Sequence, residues 1–341
     1  MRRQATPAFG TAALEARCYN QAMTNLADAF ASKEGGFPRP IWEKVEQWAN
    51  RQIEISTDPH AVWNEFALEW LEKLSDHLGP NYGIHESPNF WLLDANDEQA
   101  ALARLQFLEY ALSEIFKIIG NVASDEGFGK HIVLSFLDDQ KYYEYISHFY
   151  PEEGAFGLSG GIFVNEGYGH IVLPPGDVDQ TERAVVYQLT HASLSHLESP
   201  LWLHQALACF TEGKFFNANQ GQAVLDIIHG GQGAVGGLTA GEATDDFNQF
   251  WAENGLDSFW DGESFLRDDE GQGFSFNLAS MILSYLLEAF EPEAVVNFIK
   301  NATYDDGGKK AAIEYLGVEL EEIGADLIGA DPDLEVSKNS S

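Results

Sequence analysis

The spacing of apolar residues changes twice along the 341-residue chain, and these changes limit the folds that it can adopt. Between residues 11 and 80, apolar side chains recur every three or four residues, as at Val62, Phe66 and Trp70, which predicts amphipathic helices. Between residues 85 and 177 the apolar runs are short and bounded by turn residues, which is typical of strands. The helical spacing then returns. This order predicts an α+β fold.

The strand-forming part contains four informative runs. "SPNFWLLDA" and "KHIVLSFL" predict strands on either side of a long amphipathic helix, which Asn96 caps and Gly120 ends. "DDQKYYEYISHFY" predicts a short helix, and "SGGIFVNEGYGHIVLP" predicts a hairpin around Gly161–Leu173. Together these runs predict a small, mainly antiparallel sheet.

The predicted organisation has four parts. An N-terminal helical region spans 1–84, and an α/β part with an edge hairpin spans 85–177. A helical part spans 178–330, and a polar tail, 331–341, follows it. The Gly-rich segment 219–242 lacks a G-K-[ST] ending, so it does not predict a phosphate-binding loop.

The charge balance excludes some classes of partner. The chain has 54 acidic and 19 basic residues, for a formal net charge of -35. Nucleic-acid binding needs clustered Lys and Arg, and so does docking on an anionic membrane, so neither partner is expected. The two cysteines form no C-x-x-C pair, and no apolar run is long enough for a signal peptide or a membrane span. A cytoplasmic protein is expected, and the oligomeric state is left open.

The segment of residues 187–213 reads YQLTHASLSHLESPLWLHQALACFTEG. It resembles, without a gap, the helix pair of gluzincin-type metallopeptidases, which is written HELTHALLHHLPLPLWLNEGLAEYFEG. The matching residues are Leu189, Thr190, His191, Leu194, His196, Leu197, Pro200, Leu201, Trp202, Leu203, Leu207, Ala208, Glu212 and Gly213. The resemblance implies a zincin-like fold with a helical C-terminal half. More weakly, it extends over residues 85–328.

The residues that differ are those that carry the chemistry of the family. In H-E-x-x-H, two histidines four residues apart hold Zn²⁺, and the Glu is the general base for the metal-bound water. Tyr187 stands at the first zinc His, Gln188 at the general base and Gln205 at the third ligand, a Glu. Only His191 is kept. Gln188 has no titratable group, and Gln205 is a weak neutral donor for Zn²⁺.

These replacements predict a catalytically inactive pseudopeptidase that needs no cofactor. In active relatives, an extended peptide lies along a strand edge beside the helix pair, and a strand edge binds peptides without any metal. The residues expected to contact such a peptide or protein segment are Gly161, Phe163, Trp202 and His204.

Two other classes of function compete with this interpretation. One is a hydrolase with an improvised zinc site around His191 and His204. His196 does not fit such a site, because five residues of helix turn it about 140° away from His191. Cys209 is a further candidate nucleophile, although a small apolar core residue is the commoner role of a helical cysteine. The second class is a structural acidic scaffold that binds a basic partner. For His191, the simplest alternative is a buried imidazole hydrogen-bonded to Tyr187 or Gln205.

Overall fold

A computed structural model of the chain describes residues 25–31, 36–95, 97–125, 127–149, 160–216 and 245–329. Three sequence predictions lie outside these residues, namely the Asn96 cap, the Gly-rich segment 219–242 and the polar tail 331–341. The chain divides into two compact units. The first takes in Met1–Tyr110, Asp125–Ile146 and Phe163–Pro175, and the second takes in Ala111–Ser124, Ser147–Ile162 and Gly176–Ser341.

The first unit contains two helices that the sequence predicted to be amphipathic, α1 (Trp42–Ser56) and α2 (Pro59–Leu78). The carboxylate of Asp58 accepts a hydrogen bond from the Ala61 amide and so caps α2, with Pro59 in the first turn. The apolar stripe predicted from the sequence is buried, and it includes Phe66 and Trp70. Two short strands, β1 (Phe30–Ala31) and β2 (Arg39–Pro40), precede α1 and pair with each other.

A five-stranded sheet is the centre of the first unit. Its strands lie in the order β3-β4-β5-β7-β6, and their bounds are β3 Gly83–Glu86, β4 Phe90–Asp94, β5 His131–Ser135, β6 Ile162–Val164 and β7 His170–Leu173. The strands β4, β5 and β7 fall within the runs predicted from the sequence. Strand β6 is the end strand, next to β7, and the short connection 165–169 makes the two the predicted hairpin.

The prediction of a mainly antiparallel sheet is wrong. Strand β4 pairs with β5 in parallel, and β5 pairs with β7 in parallel, whereas β3 is antiparallel to β4. Helices make the crossovers that parallel pairs require, through α3 (Glu98–Ile118) and α4 (Asp139–Ile146). Every residue of β4, β5 and β7 is buried, and such continuous apolar runs are typical of parallel strands. The sheet is therefore mixed.

Helix α3 begins and ends at residues that explain its length. The carboxylate of Asp97 accepts a hydrogen bond from the Ala100 amide in the first turn. At the other end, Gly120 takes a φ of 56°, the left-handed conformation that ends helices, as the sequence predicted.

Aromatic rings fill the space between the helices and the sheet in the first unit. The cluster consists of Phe30, Trp42, Trp63, Phe66, Trp70 and Tyr168. Trp42 packs so closely against the backbone of Gly167 that an added Cβ would overlap the indole ring. Gly167 also has a φ of 59°, so its conformation and its close approach both require glycine.

Replacing Gly167 with Ala is therefore expected to lower the free energy of unfolding by about 2–4 kcal/mol, through left-handed strain and overpacking against Trp42. Chemical denaturation measures this loss. Gly317→Ala is the matched control, because Gly317 has a φ of 73° with no atom within 4 Å of an added Cβ. A loss for Gly167→Ala no larger than that of the control would contradict the packing described here.

The second unit is helical over most of its described residues. Its helices are α5 (Val178–Leu194), α6 (Leu201–Phe216), α7 (Asp245–Asn254), α8 (Asp257–Trp260), α9 (Glu270–Ala289), α10 (Pro292–Asn301), α11 (Lys309–Tyr315) and α12 (Leu320–Leu327). Helix α6 packs against both α5 and α9. In the part of the chain that the structure describes, no helix has the length and apolar character needed to span a bilayer.

Candidate functional site

Helices α5 and α6 form the predicted helix pair, and local interactions fix where each begins. The carboxylate of Asp177 accepts a hydrogen bond from the Gln180 amide and so caps α5. Helix α5 ends at Leu194, and Pro200 immediately precedes the first residue of α6. The amides of Leu203 and His204 donate to the carbonyl of Pro200, which closes the first turn of α6.

The three positions that the resemblance equates with zinc ligands lie together. The hydroxyl of Tyr187 donates a hydrogen bond to Oε1 of Gln205, which joins α5 to α6. The ring of His191 lies 5.0 Å from that of Tyr187, edge to face, and His191 is itself hydrogen-bonded to Gln205. This contact agrees with the simpler alternative for His191, an imidazole hydrogen-bonded to Tyr187 or Gln205. All three side chains are partly buried.

Gln188, at the position of the general base, points elsewhere. Its side-chain amide donates a 2.9 Å hydrogen bond to the backbone carbonyl of Gly161, and both residues are buried. A carboxylate there could not make this bond, because an ionised carboxylate only accepts hydrogen bonds. Gln188 therefore fixes the backbone at Gly161 and offers no proton acceptor for catalysis.

The two imidazoles of the pair are neutral. The pKa of His191 is lowered to about 3, mainly by burial and also by the neighbouring His204, against a hydrogen bond to Gln205 that raises it. Burial likewise lowers the pKa of His204 to about 4. The rings are stacked, with centroids 6.0 Å apart, and His204 is partly accessible to solvent. His196 is exposed.

The donor set at this place does not fit zinc. A catalytic zinc ion takes about three protein ligands, and a neutral imidazole is a good one. Here His191 is accompanied by an amide and by Tyr187, whose pKa burial raises well above its ordinary value, so the phenolate that would bind metal is disfavoured. Among the described residues, no group of three or more His, Cys, Asp or Glu side chains could hold a metal ion. Adding His204 to His191 brings the number of imidazoles only to two.

The prediction that Trp202 contacts a bound peptide is wrong. Its side chain is 0% exposed, and its indole N–H donates a 2.9 Å hydrogen bond to the carbonyl of Gly307. Its ring packs against Phe259, Trp260 and Phe298. Trp202 is thus a core residue of the second unit. Of the other predicted contact residues, Gly161 is buried and Phe163 is half-buried.

Cys209 is also a core residue. The residue is 2% exposed, and the pKa of its thiol is raised to about 12, mainly by burial and also by the charge of Glu212. It lies beside Tyr187 and beside Ser280 of α9. A thiol with so high a pKa supplies almost no thiolate at neutral pH, so Cys209 is unsuited to nucleophilic attack.

Sequence reasoning missed a charged pair beside this network. Arg183 of α5 donates to the carboxylate of Glu212 on α6 across 3.2 Å. A signal was present, because Arg183 lies one turn before Tyr187 and so faces the same side of the helix.

Comparison with models of known families and with curated proteins finds no match to this chain. The geometry of the helix pair therefore carries the functional argument.

Proposed function

We propose that this chain is a catalytically inactive relative of gluzincin-type metallopeptidases, which keeps the helix pair and has lost the metal chemistry. The observation that carries the proposal is the meeting of Tyr187, His191 and Gln205 at one place across α5 and α6. Three metal ligands from two helices need this convergence. Here hydrogen bonds between neutral groups hold it instead.

The nature of the three groups supports the loss of catalysis. A peptidase of this class needs a metal-bound water and a base that removes its proton. The side chains at the expected metal position do not fit zinc. At the expected position of the base, Gln188 has its side-chain amide hydrogen-bonded to the carbonyl of Gly161. Each replacement removes a different part of the same mechanism, so recovering one part alone restores nothing.

The role that we propose for the helix pair is non-covalent binding of a peptide or protein segment. Two features support it. His204 lies on α6 and remains partly accessible to solvent. Gln188 holds the backbone at Gly161, directly before β6, in a defined position. A backbone fixed in advance reduces the entropy lost when a ligand orders beside it.

The first test concerns metal content. Protein purified without added metal is expected to contain far less than one equivalent of zinc and to show no zinc-dependent peptidase activity. Elemental analysis and a general peptide-cleavage assay measure the two quantities. Near-stoichiometric zinc that is lost in His191→Ala but kept in His196→Ala would overturn the proposal, because His196 is exposed and turned away from the site.

The binding role has a separate readout. Peptides selected from a random library should raise the melting temperature and should slow amide exchange in the stretch that follows Gly160 and in α5. His204→Ala should weaken this binding, whereas His196→Ala should not. If no selected peptide changes either the melting temperature or the exchange of these amides, the binding role is wrong, although the loss of catalysis would still stand.

A further inference from the structure

Glu212 is a buried carboxyl that the proposed function does not use. Its side chain is 2% exposed, whereas most glutamates in proteins lie at the surface. Its partner, Arg183, reaches it from α5, with Nη1 3.2 Å from Oε1, and the Arg183 side chain is 14% exposed. The pair thus joins the two helices of the site through an interaction that is mostly withdrawn from water.

Arg183 has a second carboxylate within reach. Asp179, one turn earlier on α5, lies 3.5 Å from Nε of Arg183, and its side chain is 75% exposed. The guanidinium also lies over the ring of Phe216, 4.6 Å from its centroid. Arg183 therefore stands between a buried carboxyl on α6 and an exposed one on its own helix.

The other groups around Glu212 are neutral at ordinary pH. From α5, Tyr187 has a raised pKa, and on α6 itself Cys209 has a pKa of about 12. Helix α9 places Ser280, which does not titrate, beside Cys209. Among the described residues, the charges that act on Glu212 are those of Arg183 and Asp179.

Burial outweighs the attraction of Arg183. Desolvation raises the pKa of Glu212 to about 7, against the hydrogen bond and the charge of Arg183, which lower it. The carboxyl therefore exchanges its proton near neutral pH, where an ordinary glutamate is fully ionised.

We propose that Glu212 and Arg183 form a proton-responsive clasp between α5 and α6. When Glu212 is ionised, Arg183 is held across the helix interface. When Glu212 takes up a proton, Arg183 loses its buried counter-charge and pairs with the exposed Asp179 on its own helix. A change of one proton thus moves the main ionic contact of Arg183 from between the helices to the surface.

The raised pKa of Glu212 determines whether the stability of the fold rises or falls with pH. The folded protein holds a proton on Glu212 in the pH range in which the unfolded chain has released it. The contribution of Glu212 to stability is therefore fully present below about pH 4.5 and is lost as the pH rises through about 7.

Thermal unfolding from pH 4.5 to 8.5 at constant ionic strength tests the clasp. We expect the melting temperature of the unsubstituted protein to fall with rising pH by several degrees more than that of Glu212→Gln, which stays neutral throughout. Glu198→Gln, an exposed change between the two helices, is the matched control and should follow the unsubstituted protein. Parallel curves for the unsubstituted protein and Glu212→Gln would overturn the proposal.

A direct titration keeps the test independent of how the variants fold. The side-chain carboxyl ¹³C resonance of Glu212 should titrate near pH 7, and the Arg183 side-chain resonances should shift with the same midpoint. Asp179→Asn should reduce the Arg183 shift, because it removes the exposed partner. A Glu212 midpoint below pH 5, or Arg183 resonances that do not move with it, would contradict the clasp.

Discussion

The variant that combines Tyr187→His, Gln188→Glu and Gln205→Glu is expected to bind one zinc ion per chain, with a dissociation constant of about 1 μM or lower, about 8 kcal/mol of binding free energy. The physical reason is the convergence of positions 187, 191 and 205. Two histidines four residues apart on α5 and a glutamate on α6 would supply the usual three protein ligands. The unsubstituted chain offers one imidazole with an amide and a phenol.

Competition against a chromophoric zinc chelator measures this affinity. Adding His191→Ala to the triple variant should abolish zinc binding, whereas adding His196→Ala should leave it unchanged. The triple variant must first give the circular dichroism spectrum of the unsubstituted protein, so that unfolding is not mistaken for loss of a site. If it folds and binds no zinc, positions 187, 191 and 205 are not the former ligand positions, and the proposed relationship fails.

The largest expected loss of stability comes from Trp202→Ala. The side chain is fully buried, packs against three aromatic rings and donates to the carbonyl of Gly307. Removing it leaves a cavity and a buried carbonyl without its donor. The free energy of unfolding is expected to fall by about 3–5 kcal/mol. Urea denaturation followed by circular dichroism measures the change.

Two further variants separate the causes of that loss. Trp202→Phe keeps an aromatic ring but removes the N–H, so it should cost about 1–3 kcal/mol for the unsatisfied carbonyl and part of the packing. Leu201→Ala is the control on the same turn of α6, because Leu201 is 37% exposed, and its effect should be small. A loss below about 1 kcal/mol for Trp202→Ala would show that Trp202 is not a core residue.

Helices such as α2 were predictable because they combine an apolar stripe with clear end signals, which for α2 are Asp58 and Gly79. The pairing of the strands was not. An apolar run such as FWLLD shows that a strand is buried on both faces, but not which strand lies beside it or in which direction. Strand β3 was missed because Gly83–Glu86 is short and polar, and it gains its order from pairing with β4.

At the helix pair, spacing alone placed His191 beside position 187, since residues four apart share a helix face. The bond from Tyr187 to Gln205 depends on how α5 and α6 pack, which no local pattern specifies. The burial of Trp202 could not be read from the segment either, because its partners Phe259, Phe298 and Gly307 lie 57–105 residues later. Contacts between distant parts of the chain decide which aromatic residues are core and which are surface.

The hydrogen bonds that join Tyr187, His191 and Gln205 also restrict the evolutionary routes open to this chain. Tyr to His and Gln to Glu are both single-nucleotide changes, so few mutations separate this chain from one with His at position 187 and Glu at position 205. Each change made alone, however, takes a hydrogen-bond partner from a partly buried atom or adds an unpaired charge, and no metal is bound in return. Under the proposed relationship, selection for stability is expected to act against each single substitution, so the hydrogen-bond network opposes the stepwise gain of a metal site.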